Sequence, residues 1–306
     1  MGTSRWSENE WEGYTSSVKT KTRREIFTSS GMSERFDPKK IAVRESRDSA
    51  LNPASNAIIV ALDVTGSMGA NAEQLARHGL GVMVEEIIKR KPVSDPHIMC
   101  MAIGDVKYDS APLQATQFEA DITIAKDLNE LYLEGGGGGN NTESYNLAWY
   151  FAALKTSIDC HEQRGKKGYL FTLGDEEAPV DLTAAEIRSV FGNQETDDYT
   201  SEQLLNMASQ KYHVYHIVVE QGSHARNYMK DVMDSWTPLL GQRVLRLSNN
   251  DDLAEVIVSA IEVNEGRNVK DVVNSWSADK ALSVSRAINQ LAPYEGGSSG
   301  KGVVKF

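Results

Sequence analysis

Only two cysteines, Cys100 and Cys160, occur among the 306 residues. Two thiols in a chain this long do not make a disulfide framework, and a reducing compartment, the cytoplasm, is the expectation. No cysteines and histidines stand at zinc-ligand spacing. No run of about 18 apolar residues occurs, so a membrane-spanning helix is not expected. The opening MGTSRWSENEWEGY has no apolar stretch of the kind a secretory leader needs. A Gly-Lys-Ser/Thr phosphate loop is missing, so the chain is not expected to be a P-loop ATPase itself. Positive charge is in short supply: 32 Lys and Arg against 43 Asp and Glu leave a net −11. A surface of that sign disfavours nucleic acid and anionic membrane as partners.

The apolar content is ordinary. Hydrophobic residues are 40% and charged residues 25%, enough for a full core and against wholesale disorder. The charge is unevenly placed. Residues 1–50 carry ten basic and eight acidic side chains, a net +2, so the remainder carries −13. Residues 1–54 show no apolar period and read as a polar, extended arm with little structure of its own. The arm is read as solvated, with docking onto the acidic body as the alternative.

The body, residues 55–265, alternates buried strands with helices. AIIVALD (57–63) is a continuous apolar run ending on an acid, as a parallel strand covered on both faces requires. A helix over 71–91 follows, its apolar face formed by Ala76, Leu80, Met83, Val84 and Ile87. HIMCMAIGD (97–105) is a second buried strand, and LQATQFEA (113–120) alternates as an edge strand would. A short helix over 124–132 precedes the glycine run Gly135–Gly139. The pattern then predicts a long helix over 142–160 with Leu147, Phe151, Leu154 and Ile158 on one face. Further strands are GYLFTLGDEE (168–177), VYHIVVE (214–220) and RVLRLS (243–248), and a closing amphipathic helix runs through Leu253, Val256, Ile257, Ala260 and Ile261. This rhythm predicts an α/β, doubly wound, mostly parallel central sheet with one antiparallel edge strand. Residues 266–306 read as an extension with one short helix near 278–291 and a flexible Gly/Ser-rich tail.

Ligands of open α/β sheets sit at the carboxyl ends of the strands, and three strands here end on Asp63, Asp105 and Asp175. In Asp63-Val64-Thr65-Gly66-Ser67-Met68-Gly69 a carboxylate and two hydroxyls alternate on a strand-to-helix turn that Gly66 allows to be tight. Such oxygen donors suit a hard divalent cation, Mg²⁺ or Mn²⁺. The segment resembles the metal-ion-dependent adhesion site of the von Willebrand factor type A family, intracellular bacterial or phage type. That family's signature is Asp-x-Ser-x-Ser with Thr accepted at the middle position. It is completed by a Thr on a Gly-rich loop before a later helix and an Asp at the end of the next central strand. GGGGGNNTES offers Thr142 for the first, with Asn140 or Asn141 as alternatives. TLGDEE offers Asp175 for the second, two residues later than the family's usual Thr-Asp-Gly. The likeness covers roughly residues 55–263.

The resemblance implies that Thr65 and Ser67 ligate the metal through their hydroxyls. Asp63 and Asp175 would act mainly through bound waters, and Thr142 directly or through one water. It implies a non-enzymatic protein-binding module whose partner supplies a Glu or Asp to the metal. Intracellular members of the family often work with MoxR-type AAA+ ATPases, so such a partner is implied. An assembly protein that oligomerises through its arms, 1–50 and 266–306, is the alternative. A hydrolase built on Ser67 is a third reading. It lacks the Gly that Gly-x-Ser-x-Gly needs at 65, and its histidine would be His213, His216 or His224. A haloacid dehalogenase-like site would need an Asp at position 65. The glycine run follows a helix and not a strand, which argues against a dinucleotide site. Taken singly, Thr65, Ser67 and Thr142 also read as helix caps and Asp175 as a loop acid. Asp105 and Asp109 read as loop or rim acids, Glu176 and Glu177 as rim charge beside Asp175, and Trp149 as core or contact surface.

Overall fold

The structure is a computed structural model that describes residues 4–135, 141–192 and 194–292. Two helices come first, α1 (Glu8–Val18) and α2 (Arg23–Ile26), then a short strand, β1 (Arg44–Ser46). The strand β2 (Asn56–Asp63) feeds a helix in three joined parts: α3 (Gly69–Gln74), a wider π turn over Leu75–Gly79, and α4 (Leu80–Arg90). β3 (Pro96–Ile103), β4 (Leu113–Ala115) and α5 (Thr123–Asn129) follow. Beyond the glycine run lie α6 (Tyr145–Leu154), β5 (Thr156–Ile158), α7 (Asp159–Glu162) and β6 (Gly168–Gly174). Next come α8 (Ala184–Phe191), α9 (Ser201–Lys211), β7 (Tyr212–Val219), α10 (Ser223–Leu240) and β8 (Val244–Leu247). The described chain closes with α11 (Leu253–Asn264), α12 (Val269–Asn274) and α13 (Ala278–Ile288).

Six strands form one sheet in the order β4-β3-β2-β6-β7-β8, parallel throughout except for β4, which runs antiparallel at one edge. β2 lies inside it, with Val60 opposite Cys100 of β3 on one side and Phe171 of β6 on the other. All eight of its residues are buried, because each face is covered by helices. The period of two sorts them. Ile58, Val60 and Leu62 pack with the α4, α11 and α13 layer, while Ala57, Ile59 and Ala61 pack with the α6, α9 and α10 layer. Asp63 continues the second set. α6 lies between the sheet and other helices and buries nine of its ten residues, so its apolar side chains run all the way round it. Trp149 is therefore core and not contact surface, edge-on to Trp236 at 6.1 Å between ring centroids.

Two expectations are corrected. The N-terminal arm is neither extended nor solvated. Trp11 and Val18 of α1, Ile26, Phe27, Phe36 and Ile41 are buried. Trp11 lies so close over α4 that a Cβ at Gly81 would fall 2.0 Å from its ring. The arm's arginines meet acids of the body: Arg23 with Glu73, Arg35 with Asp127 and Glu130, Arg47 with Asp159 and Glu162. Apart from the Ile26–Phe27 pair, the apolar residues responsible stand singly among polar ones, which is why no period shows. The second correction concerns residues 142–160. The helix stops at Leu154, and Thr156–Ile158 turn into β5, paired in parallel with β1 of the arm. Leu154 is exposed and Ile158 is a strand residue. The β-branched Thr156 and Ile158 extend because a partner strand reaches them from more than a hundred residues away. Residues 178–211 and 221–242, where the sequence pattern assigned nothing, hold α8, α9 and α10. The extension carries α12 as well as the expected α13, while the Gly/Ser-rich tail from 293 onward lies outside the described residues.

If the arm is part of the folded body, Trp11→Ala should cost about 3 kcal/mol of stability, the usual loss for a buried large aromatic. Urea unfolding followed by tryptophan-independent circular dichroism reads this. A solvated arm would give a change under about 0.5 kcal/mol.

Candidate metal centre

The carboxyl ends of β2 and β6 lie side by side. From β2 the chain moves to β3 on one side and later to β6 on the other, so this is where strand order reverses. A crevice opens there in sheets of this kind. Asp63 is the last residue of β2, and Asp175 follows β6 directly. Both are buried, at 1% and 3% exposure.

Asp63 is held from two sides. Its Oδ1 accepts hydrogen bonds from the Thr65 backbone N–H at 2.8 Å and the Thr65 hydroxyl at 2.6 Å, and its Oδ2 accepts from the Tyr145 hydroxyl at 3.3 Å. Thr65 thus serves Asp63 and does not cap the helix that follows. Gly66 has φ +43°, a left-handed turn that a glycine takes without strain, as the tight loop requires. The backbone then forms one 3₁₀ turn, Gly66–Met68. The side chain of Ser67 lies outside the described part of the structure, as does residue Asn140. Tyr145 reaches Asp63 across Gly174, where a Cβ would sit 1.7 Å from the tyrosine oxygen.

Asp175 is fixed from the other direction. Its Oδ2 accepts the backbone N–H of His224 at 2.8 Å, in the first turn of α10, where the helix dipole favours an anion. A Cβ at Gly222 would fall 2.3 Å from the Asp175 carboxyl carbon, so a glycine there admits this approach. The loop before α6 completes the rim. Asn141 accepts the Glu177 backbone N–H at 3.0 Å, and Thr142 bridges to Glu177. Ser144 ties the same loop to the end of β3: its N–H donates to the Gly104 carbonyl at 3.2 Å and its Oγ accepts from Val106 N–H at 3.0 Å. Glu143 is buried, and its Oε2 has no hydrogen-bond partner. Asp105, also buried, receives the Lys107 N–H at 2.6 Å. His224 faces Glu176 at 3.4 Å and Glu177 at 3.7 Å. Of the other histidines weighed for a hydrolase, His216 stacks on Trp236 at 3.6 Å and bonds Thr172, and His213 lies near the opposite, amino end of β7.

The electrostatics of this edge set it apart. Elsewhere the buried acids meet bases: Asp127 with Arg35, Asp159 with Arg47, Asp252 and Glu255 with Lys280, Glu262 with Arg90 and Arg267. Among the described residues no lysine or arginine pairs with Asp63, Glu143 or Asp175. Burial pushes the Asp63 carboxyl up to about 7, against the Thr65 hydrogen bonds and helped by the charge of Asp175. Glu143 is pushed up to about 9 by burial and then by Asp63, Asp109, Asp105 and Glu176. Glu176 goes up to about 8, by burial and then by Asp175, Asp63 and Glu177. Carboxylates that raise one another in this way leave room for a cation of external origin.

The fold and the edge together invite comparison with solved structures. Similar chains include a von Willebrand factor type A protein. That one, from Catenulispora acidiphila, is 13% identical at a TM-score of 0.38, covering 70% of this chain and 44% of its own. The pilus adhesin SpaC from Lactobacillus rhamnosus GG, in its open conformation, is 11% identical at 0.43, over 76% and 31%. Proximal thread matrix protein 1 from the mussel byssus is 10% identical at 0.44, over 67% and 48%. The chain thus spans between about a third and a half of the solved chains it resembles. No protein-family model and no curated protein matches it.

The donors at this edge are hard oxygens, which fit Mg²⁺ or Mn²⁺ and not a thiophilic metal. Among the described residues no three His, Cys, Asp or Glu side chains close into a cage, so a cation here would depend on hydroxyls and water beside the carboxylates. Tyr145 and Glu143 escaped the sequence reading. Each lies within three residues of Thr142, but a tyrosine and an acid at a helix start look like ordinary core and cap.

The acidic crowding has a pH signature. Glu176 keeps its proton up to about 8 in the folded chain but only to its ordinary 4.5 when unfolded. The folded state therefore holds more protons in between, and this contribution to stability, full below 4.5, is lost as pH rises through 8. In chelator, the unfolding free energy of wild type should fall relative to Glu176→Gln by on the order of 1 kcal/mol between about pH 5 and about pH 9. Urea denaturation at the two pH values checks it; a constant gap would contradict the burial and charge coupling of this carboxyl.

Proposed function

We propose that the chain is a non-enzymatic protein-binding module of the cytoplasm that docks its partner through Mg²⁺, or Mn²⁺, at the carboxyl edge of the sheet. The observation that carries this reading is the pair Asp63 and Asp175, buried at neighbouring strand ends with no basic partner among the described residues. Thr65 and Ser67 would give hydroxyls to the cation, with Thr142 beside them on the glycine-loop side. Asn141 remains an alternative there, and Asn140 falls outside the described residues. Asp63 and Asp175 would hold its water shell. When bound, the ion supplies a hard positive centre with a coordination position open to an outside oxygen.

A carboxylate from the partner is the natural occupant. The rim carries Glu176, Glu177 and Asp105, so an acidic segment would be repelled until the cation is in place. The resemblance to intracellular members of the adhesion-site family supports a MoxR-type AAA+ ATPase as that partner. Against the alternative of assembly through extended arms stands the docking of the described N-terminal arm on its own body. No nucleic-acid or membrane surface is proposed: the net charge is −11 and no described helix is long and apolar enough to cross a membrane.

Asp63→Asn, which keeps the shape of a buried side chain, should abolish Mn²⁺ binding in a calorimetric titration while leaving the circular dichroism unchanged. Thr142→Ala should weaken partner binding about tenfold, in the range by which groups that orient a metal act. Addition of chelator to the wild-type complex should dissociate it, whereas moderate salt should not. Partner affinity indifferent to chelator would move the contact surface to the helices.

A further inference from the structure

We infer that the cleft at the amino edge of the sheet, between the N-terminal arm and the end of α4, binds a small amphipathic anion. Its ligand has an apolar body and one acidic head, as a medium-chain fatty acid does. The inference does not rest on the metal reading. The cleft opens where β3 begins, at Asp95 and Pro96, whereas the candidate metal centre lies at the other ends of the strands.

The cleft has a volume of about 500 Å³, within the roughly 300–1,000 Å³ of small-molecule sites. One wall is apolar. Val84, Ile87 and Ile88 stand at i, i+3 and i+4 on α4, one face of the helix. Val84 and Ile87 are buried and Ile88 is 46% exposed, so this wall runs from the interior out to the surface. Trp6 of the arm adds an aromatic wall. Its ring lies 5.2 Å from that of Trp11, the tryptophan packed over Gly81 of α4. The chain before Trp6 is pinned as well. The Ser4 hydroxyl bonds Asp121, and the Ser4 carbonyl accepts the Asn52 side-chain N–H at 2.8 Å. The arm's side of the cleft is therefore built into the fold and not draped over it.

The charged groups of the cleft select the head. Two cations, Arg5 and Lys91, line it against one acid, Asp95. Asp95 is already answered: its Oδ2 accepts the Ala54 N–H at 3.0 Å and its Oδ1 lies 3.5 Å from Arg5. Among the described residues no acid pairs with Lys91. The cleft thus carries positive charge in a protein of net charge −11, and an anion complements it. The backbone marks the same place. Lys91, at φ +52°, and Asp95, at φ +35°, are the two non-glycine residues with left-handed φ among the described residues, and both lie in the link between α4 and β3. Glycine would take either turn without strain. The chain instead puts at each a charged side chain that lines the cleft, and backbone of this kind collects at ligand sites. Arg5 and Trp6 belong to the arm, and Ile87 and Lys91 to the body, so a bound molecule would touch both and hold them together.

The test uses the full chain with decanoate, and with decanol as the same apolar body without the charge. Displacement of the fluorescent probe 1-anilinonaphthalene-8-sulfonate reads affinity, and thermal unfolding reads stabilisation by the bound molecule. Decanoate should raise the unfolding midpoint and bind about tenfold more tightly than decanol, a factor that one charge-assisted hydrogen bond supplies. Three variants would be compared, each first shown to have the wild-type circular dichroism. Ile88→Asp puts a negative charge in the apolar wall at an exposed position and should weaken decanoate about tenfold. Lys91→Gln should weaken decanoate severalfold and leave decanol within about threefold of wild type. Leu282→Asp, at a still more exposed apolar position on α13, should leave both within about threefold. Absence of decanoate binding, equal affinity for decanoate and decanol, or Ile88→Asp within about threefold of wild type would overturn the inference. If Ile88→Asp does not fold, the comparison of decanoate with decanol on wild type decides alone. None of these outcomes bears on Mn²⁺ binding, which Asp63→Asn tests separately.

Discussion

Two buried acids with no base to meet them set the terms for the carboxyl edge of this sheet. Burying a carboxylate is costly unless charge or donors compensate it. Most of the fold around Asp63 and Asp175 can be understood as supplying donors. Thr65 turns back onto Asp63 because Gly66 allows the chain to reverse. Tyr145 arrives because Gly174 has no side chain in its way. The amino end of α10 meets Asp175 because Gly222 lets it approach. These contacts hold the aspartates in place but do not neutralise them. The remaining negative charge is what a divalent cation would answer.

The architecture was legible because β2, β3, β6 and β7 are buried on both faces. A strand in that position must be apolar without interruption, and AIIVALD, HIMCMAIG, GYLFTLG and VYHIVV are. The strand-end acids followed from the same runs, since an acid closing such a run has to lie at the sheet edge. What stayed hidden was whatever depends on a distant partner. β5 is a strand only because β1 of the arm pairs with it, and Thr156-Ser157-Ile158 taken alone continues the helical pattern of α6. The arm looked solvated because one tryptophan here and one phenylalanine there make no period, although each finds a slot on the body. Tyr145 was hidden for the reverse reason: in a helix as apolar as α6 one more aromatic carries no signal, and its hydroxyl acquires meaning only when β2 and β6 are placed beneath it.

The arm also explains how a body, residues 55–265, of net charge −16 is arranged. Its arginines reach Asp127, Glu130, Asp159, Glu162 and Glu73, all on the flanks of the sheet. At the C-terminal side Lys280 and Arg267, from the extension, do the same for Asp252, Glu255 and Glu262. Both terminal segments thus place positive charge on the body's acids, and among the described residues neither pairs a lysine or arginine with Asp63 or Asp175. Among the described residues, buried negative charge without a basic partner is thereby left at the carboxyl edge, at Asp63 and Asp175. A uniformly acidic surface would attract cations everywhere and hold none. Here internal bases answer most of the buried acids and leave one cluster open, so the same net charge can produce a local demand for a divalent ion. Contact with an acidic partner would then follow the occupancy of that one site and not the overall charge of the molecule.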